Sequence, residues 1–225
     1  MKKLLLIASF AILGTTAANA QSIKFGPKAG YSYSMLKAKD GDGATFNANK
    51  STFYAGGFVE YKFNDQFGIM GEVLYSPIGG KEEQTASGSA NGVTVNASAK
   101  IDYKFGSVQV PVGLKFFPSE NFAIAAGMNF GIITTAEGEY SVSGSTSGTG
   151  MDTSMTQNGV QDIKDQVKTL NLAPFVGAEF TLENGLFFDA RYNLGVSNLV
   201  KNPSEGESVK NSFVQVGVGF KFGGN

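Results

Sequence analysis

The chain has 225 residues, 18 Lys+Arg against 19 Asp+Glu, and a formal charge of −1. That balance excludes an electrostatic nucleic-acid binder, which needs a basic excess. With no Cys there is no disulfide framework, zinc knuckle or thiol nucleophile, and with no His the commonest metal ligand and the commonest general base are missing.

The first twenty residues read as an export signal. Lys2 and Lys3 precede an almost unbroken apolar run from Leu4 to Leu13, and small residues lead to Ala18-Asn19-Ala20. This is the three-part layout of a secretory signal peptide, with cleavage expected between Ala20 and Gln21. The apolar run is too short to span a bilayer as a helix, which needs about 20 residues. No Cys stands at the cleavage site to carry a lipid anchor. Residues 21–225 are expected to form one domain, and no later stretch is apolar for long enough to be a transmembrane helix.

From residue 23 onward the dominant period is two, which is the period of a strand and not of a helix. In residues 23–35 the odd positions (Ile23, Phe25, Ala29, Tyr31, Tyr33, Met35) are mainly apolar and the even ones (Lys24, Lys28, Gly30, Ser32, Ser34) small or polar. The same sorting recurs in 53–63, 67–75, 108–116, 122–130, 170–180, 186–194 and 214–222. Just before the fourth of these, Ile101, Tyr103 and Phe105 are in the opposite phase, which predicts a β-bulge near Gly106-Ser107. Eight segments of about ten residues exceed the usual globular strand of about five or six and match the roughly 9–11 residues of a tilted membrane-spanning strand.

The connections alternate in length. Residues 64–66, 118–121 and 183–185 read as tight turns, whereas 36–51, 79–100, 134–168 and 200–211 read as long, polar, Gly/Ser/Thr-rich loops. Short turns at one end and long loops at the other are the layout of an outer-membrane barrel. Phe63, Phe67, Phe116, Phe122, Phe180, Phe220 and Phe222 fall at the short-turn ends of the apolar faces, and Tyr31, Tyr33, Phe53, Tyr75, Phe130 and Tyr192 toward the long-loop ends. Two aromatic girdles around an aliphatic band suit the two interfaces of a bilayer. The expected fold is therefore all-β, an eight-stranded antiparallel up-and-down transmembrane β-barrel. The rival architecture is a soluble periplasmic ligand-binding barrel with its apolar face inside. The small, Gly-rich polar faces, the uniform apolar segments and the unequal loops favour the membrane.

Eight strands close on an interior only wide enough to fill with side chains. The inward charges are expected to be Lys24, Lys28, Glu60, Lys62, Glu72, Lys115, Glu179, Asp189, Arg191 and Lys221. Of these, Glu60, Glu72, Lys115, Glu179, Asp189 and Arg191 make the candidate charge cluster, with Glu60, Glu72 and Glu179 sharing Arg191 or Lys115. The cluster reads either as a structural plug or as a salt-bridge gate across a narrow pore. No catalytic residue is expected: without His neither a Ser-His nor an Asp-His arrangement exists, and Glu60 and Glu72 lack the open sugar cleft of a glycosidase. Asp40-Gly41-Asp42-Gly43 begins like a calcium loop but lacks the downstream ligands, so it reads as a loop tip with no metal. No cofactor is expected. Val160, Ile163 and Val167 have helical spacing, so that stretch is either a short helix or a strand extension, and residues 134–158 read as an exposed mobile loop.

The strings Gly56-Gly57-Phe58-Val59-Glu60-Tyr61-Lys62-Phe63 and Asp189-Ala190-Arg191-Tyr192-Asn193-Leu194-Gly195, the Val110-Pro111 step and the ending from Gly217 to Phe222 resemble the small PorT-like outer-membrane β-barrel proteins, architectural relatives of the OmpA and OmpX barrels. The resemblance implies an outer-membrane location and, for most members, no defined activity. The sequence reading is thus a non-enzymatic, monomeric barrel with a structural or surface-interaction role. Its expected partners are outer-membrane lipid, lipopolysaccharide, the barrel assembly machinery and an external ligand at the four loops, with no nucleic acid. A small channel gated by the lumen charges is the alternative.

Overall fold

The structure is a computed structural model that describes residues 23–223 except 149 and 151, so Ala20, Gln21 and the signal segment lie outside the described residues. Ten strands are present there: β1 (Ile23–Lys39), β2 (Thr45–Lys62), β3 (Phe67–Tyr75), β4 (Ile78–Ala90), β5 (Val93–Ser119), β6 (Phe122–Ser147), β7 (Thr153–Asp162), β8 (Leu170–Thr181), β9 (Leu186–Asn193) and β10 (Ser208–Phe220). All pairings are antiparallel, and β1–β2–β3–β5–β6–β8–β9–β10 returns to β1 as a ring of eight. β4 prolongs β3 beyond the Ser76-Pro77 step, where proline has no amide to give the ladder, and β7 precedes β8 on the same flank of β6. Closure leaves the barrel portion without a free edge.

The tight turns form where expected. Asn64 accepts the Gln66 and Phe67 amides through its side chain, both at 2.9 Å, as an Asx turn. Gly185 takes a φ of +88°, which closes the β8–β9 turn.

The long connections differ from the expected loops. β1 and β2 continue to a turn at residues 40–44, and the 79–100 stretch is a hairpin, β4 and β5, turning on Asn91-Gly92. Those two residues have φ of 51° and 78°, the positive values of a type I′ hairpin turn, whose signature is Asn-Gly. Residues 134–158, expected as a mobile loop, are mostly the outer parts of β6 and β7, paired from Glu137↔Asp162 to Thr146↔Thr153. Ser and Thr can hold a ladder as well as Val can, so low hydrophobicity did not mean lack of order. Val160 lies in β7; the chain then makes one 3-10 turn, Lys164–Gln166, and Val167 bridges to Val200. Of the four expected loops, the last keeps the most irregular structure, at residues 201–207, before β10 begins at Ser208.

The register shift between Gly106 and Ser107 confirms the bulge. Its extra residue is Thr134 on the partner strand β6, so the alternation of β5 runs on unbroken. The phase inversion has another cause. From the bulge down to Lys115 the inward residues of β5 are polar or small, including Ser107, Gln109 and Lys115; above it Phe105 enters an apolar cluster with Leu36, Ala48, Ile78, Ile133, Ala136 and Leu199. The interior changes character, not the strand.

The barrel exterior is a continuous apolar surface with Val59, Ile69, Val73, Val112, Leu114 and Val216 exposed in its middle band. Phe67 and Phe116 pair across strands at the short-turn end, with ring centroids 5.3 Å apart, and Phe220 and Phe222, two residues apart on one segment, stand at 4.9 Å. A surface of this size exposed to water would be an aggregation hazard; facing lipid it is the required one.

The β1–β10 seam relies on small residues. Gly30 and Gly217 are direct cross-strand partners, and the Tyr54 ring lies against both: a Cβ built on Gly217 would stand 1.9 Å from its hydroxyl oxygen. Gly217→Val must displace Tyr54 and is expected to cost about 1–3 kcal/mol as overpacking. Gly57→Ala meets nothing closer than 3.5 Å and is expected to be neutral. Urea midpoints of the refolded barrel, read by heat-modifiable gel mobility, check this; equal midpoints would refute the seam assignment.

Candidate functional site

Period-two alternation on a closed barrel decides which side chains meet inside. The even residues of β1, β2 and β3 and the odd ones of β9 point inward, so Lys28, Glu60, Glu72, Asp189 and Arg191 are brought together from positions distant in sequence. Lys115 of β5, Glu179 of β8 and Lys221 join them. Lys24 and Lys62 are only half-buried, at the short-turn mouth; Lys62 Nζ sits 4.0 Å from the centroid of the Phe117 ring.

The charges resolve into two groups, each with two acids and two bases. In the lower group Lys115 Nζ bridges Glu60 and Glu179, both at 2.6 Å, and Lys221 Nζ bridges the same two carboxylates at 3.2 and 2.5 Å. In the upper group Arg191 takes Glu72 through both guanidinium nitrogens at 2.9 and 2.7 Å, a bidentate fork. Lys28 reaches Glu72 at 3.2 Å and Asp189 at 2.8 Å. The candidate residues of the sequence reading are thus in contact, and the sharing is more specific than expected. Glu72 takes Arg191, while Glu60 and Glu179 take Lys115. Lys28 and Lys221, placed inward by the sequence but left out of the candidate cluster, complete both groups.

Aromatic rings fill the space between the charged layers. Phe58 and Phe187 meet edge to face at 5.2 Å, the Arg191 guanidinium stacks 4.5 Å from the Phe175 centroid, and Lys221 lies 5.4 Å from that of Phe187. Above them runs an amide layer: Asn129 donates to Asn193 at 3.1 Å, Asn193 to Gln215 at 3.3 Å and Gln215 to the Ser76 hydroxyl at 3.4 Å. The apolar cluster around Phe105 and Ile133 closes the top. From bottom to top the interior runs from charged groups interleaved with aromatic rings, through amides, to hydrocarbon, all in side chains.

A second region stands beyond the barrel. β5 has 27 residues and β6 has 26, of which a tilted span uses about 9–11. The excess, with β4 and β7, forms a four-stranded sheet, and β7 pairs with β6 alone. Register puts Val95, Ile101, Tyr140, Val142 and Met155 on one face, all exposed, with Met155 at 76 %. That face runs down through Tyr103 into the apolar cluster. The opposite face carries Lys81, Lys100, Asp102, Lys104, Glu137 and Glu139 and rows of Ser, Thr and Asn. Asp102 is paired with Lys50 at 2.5 Å and Glu139 with Lys104. The hydrogen bond to Glu139 holds Lys104 above the usual lysine range, and the neighbouring like charge of Lys100 holds Lys81 below it. The signals of this sheet in the sequence are the Asn91-Gly92 pair and a weak alternation. Asp40, at the start of the candidate calcium loop, accepts the Ala44 amide at 2.8 Å and caps a hairpin turn.

The family model of the outer membrane protein beta-barrel domain matches residues 5–222. No curated protein matches the chain in sequence. Solved structures to which it is similar include Ail, the attachment invasion locus protein of Yersinia pestis, at 18% identity over 89% of this chain and 99% of that one, with a TM-score of 0.43. Others are Neisserial surface protein A, at 14% over 88% and 97% with a TM-score of 0.38, and the outer membrane protease OmpT from Escherichia coli, at 10% over 93% and 99% with a TM-score of 0.37.

Breaking one member of a neutral buried group leaves an uncompensated charge. Glu72→Gln is expected to cost about 3–5 kcal/mol, because Arg191 and Lys28 then share only Asp189. Adding Arg191→Gln restores neutrality as Lys28–Asp189 and is expected to recover more than half of that loss. Urea unfolding of the single and double variants measures the coupling; simple additivity would show that the groups do not act as units.

Proposed function

The chain belongs to the outer membrane protein beta-barrel domain family and lies in the bacterial outer membrane, and on that premise we propose that it is a non-enzymatic barrel which holds a rigid surface-interaction sheet outside the cell. The observation that carries this reading is the contrast between the two regions. The lumen is filled by side chains, and among the described residues all eight of its buried charged groups are engaged by an opposite charge, while the projecting sheet leaves Ile101, Tyr140, Val142 and Met155 uncovered. A carboxylate held by two cations, as Glu72 and Glu179 are, is poorly disposed to act as a general acid or base, which supports the absence of catalysis. A flat two-faced sheet offers apolar area on one side and hydrogen-bonding groups on the other, already ordered, so an external partner binds without the cost of ordering a loop.

In this reading residues 1–20 direct export and are removed at Ala20-Gln21, the assembly machinery inserts the barrel, and the charge groups plug it. The strings around Gly56–Phe63 and Asp189–Gly195 support placing the chain with the PorT-like members of the family. The channel alternative needs the same charges to part and the apolar cap above them to open.

The barrel, refolded and inserted in a planar bilayer, is expected to give no discrete conductance steps. Cells that carry a barrel trimmed between Lys81 and Lys100 and between Glu139 and Val160 are expected to keep its outer-membrane abundance and heat-modifiable mobility but to lose adherence to protein-coated surfaces. Reproducible steps altered by Glu72→Gln would make it a channel, and unchanged adherence would remove the role of the sheet.

A further inference from the structure

The exterior of β10, β1 and β2 changes chemistry row by row along the strands. Register sets Val216, Tyr31 and Phe53 side by side, then Val214, Tyr33 and Ser51, then Ser212, Met35 and Asn49. The next outward row is Lys210, Lys37 and Asn47, and the last Ser208, Lys39 and Thr45. The sequence of layers is apolar, tyrosine, neutral polar and basic. Lys37 is four residues beyond Tyr33, about 14 Å along a strand and roughly 10 Å along the membrane normal at the usual tilt. If the tyrosine row marks the hydrocarbon boundary, the lysines stand at the outer edge of the headgroup layer.

These lysines have no internal purpose that the fold supplies. Lys37, Lys39 and Lys210 are exposed, and among the described residues none of them forms an ion pair. Lys37 and Lys210 are direct cross-strand partners, an arrangement of like charges that destabilises a sheet unless an anion lies between them. Of the carboxylates nearby, Asp40 accepts the Ala44 amide, and Glu207 accepts the Ser204 amide at 2.9 Å.

We propose that Lys37, Lys210 and Lys39, with the Asn47 amide beside them, form an exterior site for the phosphate of an outer-leaflet glycolipid headgroup. The lipid's acyl chains then lie against Val216, Tyr31 and Phe53, three rows below. The apolar rows under the cations distinguish such a ligand from a free anion, which would use the cations alone. The site rests on the outer-membrane location and not on the surface-interaction reading, so either can fail without the other.

The test uses the refolded barrel in phosphatidylcholine nanodiscs doped with bisphosphorylated lipid A or with lipid A stripped of its phosphates, the retained lipid being counted by mass spectrometry. Phosphorylated lipid A is expected to bind in a salt-sensitive way, about fivefold more weakly for Lys37→Gln or Lys210→Gln and about 30-fold more weakly for the pair. Lys37→Arg and Lys164→Gln, the latter on the far side of the ring, are expected to bind as the parent does. Heat-modifiable mobility verifies that each variant is folded, and the salt dependence of the parent protein stands should the double variant misfold. Equal retention of the dephosphorylated lipid, parent-like binding by the folded double variant, or displacement by an equal concentration of inorganic phosphate would each overturn the proposal.

Discussion

Closure of eight strands is the constraint on which the other features depend. It fixes a lumen about as wide as the side chains that line it, so each inward residue must fit, and each inward charge must find its opposite across a few ångströms. The two groups of four meet this requirement locally: Lys115 and Lys221 neutralise Glu60 and Glu179, and Lys28 and Arg191 neutralise Glu72 and Asp189. Each group draws on strands from around the ring, and each lysine holds two carboxylates. Apolar residues of the same volume could fill the space with no loss of stability. What the charges add is register. A one-residue slip of any strand would turn its charge onto the lipid face, at roughly 2–4 kcal/mol for a basic residue at mid-bilayer. The correct pairing is thus favoured over its neighbours by more than packing alone would give.

The same closure explains why one strand can serve two environments. β5 keeps its alternation unbroken from Phe105 to Phe117, yet its inward side carries Lys115 and Gln109 low in the barrel and Phe105 high in it. The low part faces a lumen walled off from water and lipid, where polar groups are tolerable because they pair. The high part faces the cap, where Ile78, Ile133 and Leu199 exclude water instead. Thr134 lets β6 bend at this boundary by adding a residue, with its hydroxyl donating to the Gly106 carbonyl at 3.1 Å. Beyond the bend the ladder no longer has to close, and it runs on as an open sheet.

Much of the fold was legible in the sequence because the membrane enforces a strong pattern. Period two over about ten residues, with aromatics at both ends, located all eight spans, and the phase inversion at Ile101–Phe105 marked where the interior turns apolar, the level at which the β6 bulge also lies. The inward identity of Glu60, Glu72, Lys115, Glu179, Asp189 and Arg191 followed from the same alternation. Which acid meets which base did not, because partners such as Lys221 and Glu60 are 161 residues apart and their meeting depends on strand stagger, which a single strand does not reveal. The projecting sheet was read as loops for a different reason. Neither of its faces is fully buried, so Ser, Thr and Gly alternate there with Val and Tyr without the contrast that a core imposes. Asn91-Gly92 was the local signal that could have corrected this, since Asn-Gly between alternating residues marks a type I′ hairpin.

The distribution of order places the adaptable chemistry outside the lumen. Within the barrel a change at one residue propagates, because Tyr54 touches Gly217 and donates to Asp189 at 3.4 Å, Asp189 holds Lys28, and Lys28 holds Glu72. A site wired in this way is a poor substrate for new specificity: altering one member costs stability before it confers anything. The projecting sheet has the opposite property. Its backbone ladder is complete from β4 to β7 without help from its side chains, so Ile101, Val142, Met155 or the polar rows behind them can vary with little effect on the fold. A rigid scaffold whose stability is independent of the residues it displays is the physical condition for a recognition surface. The side-chain-filled barrel beneath it is what holds that scaffold in the membrane.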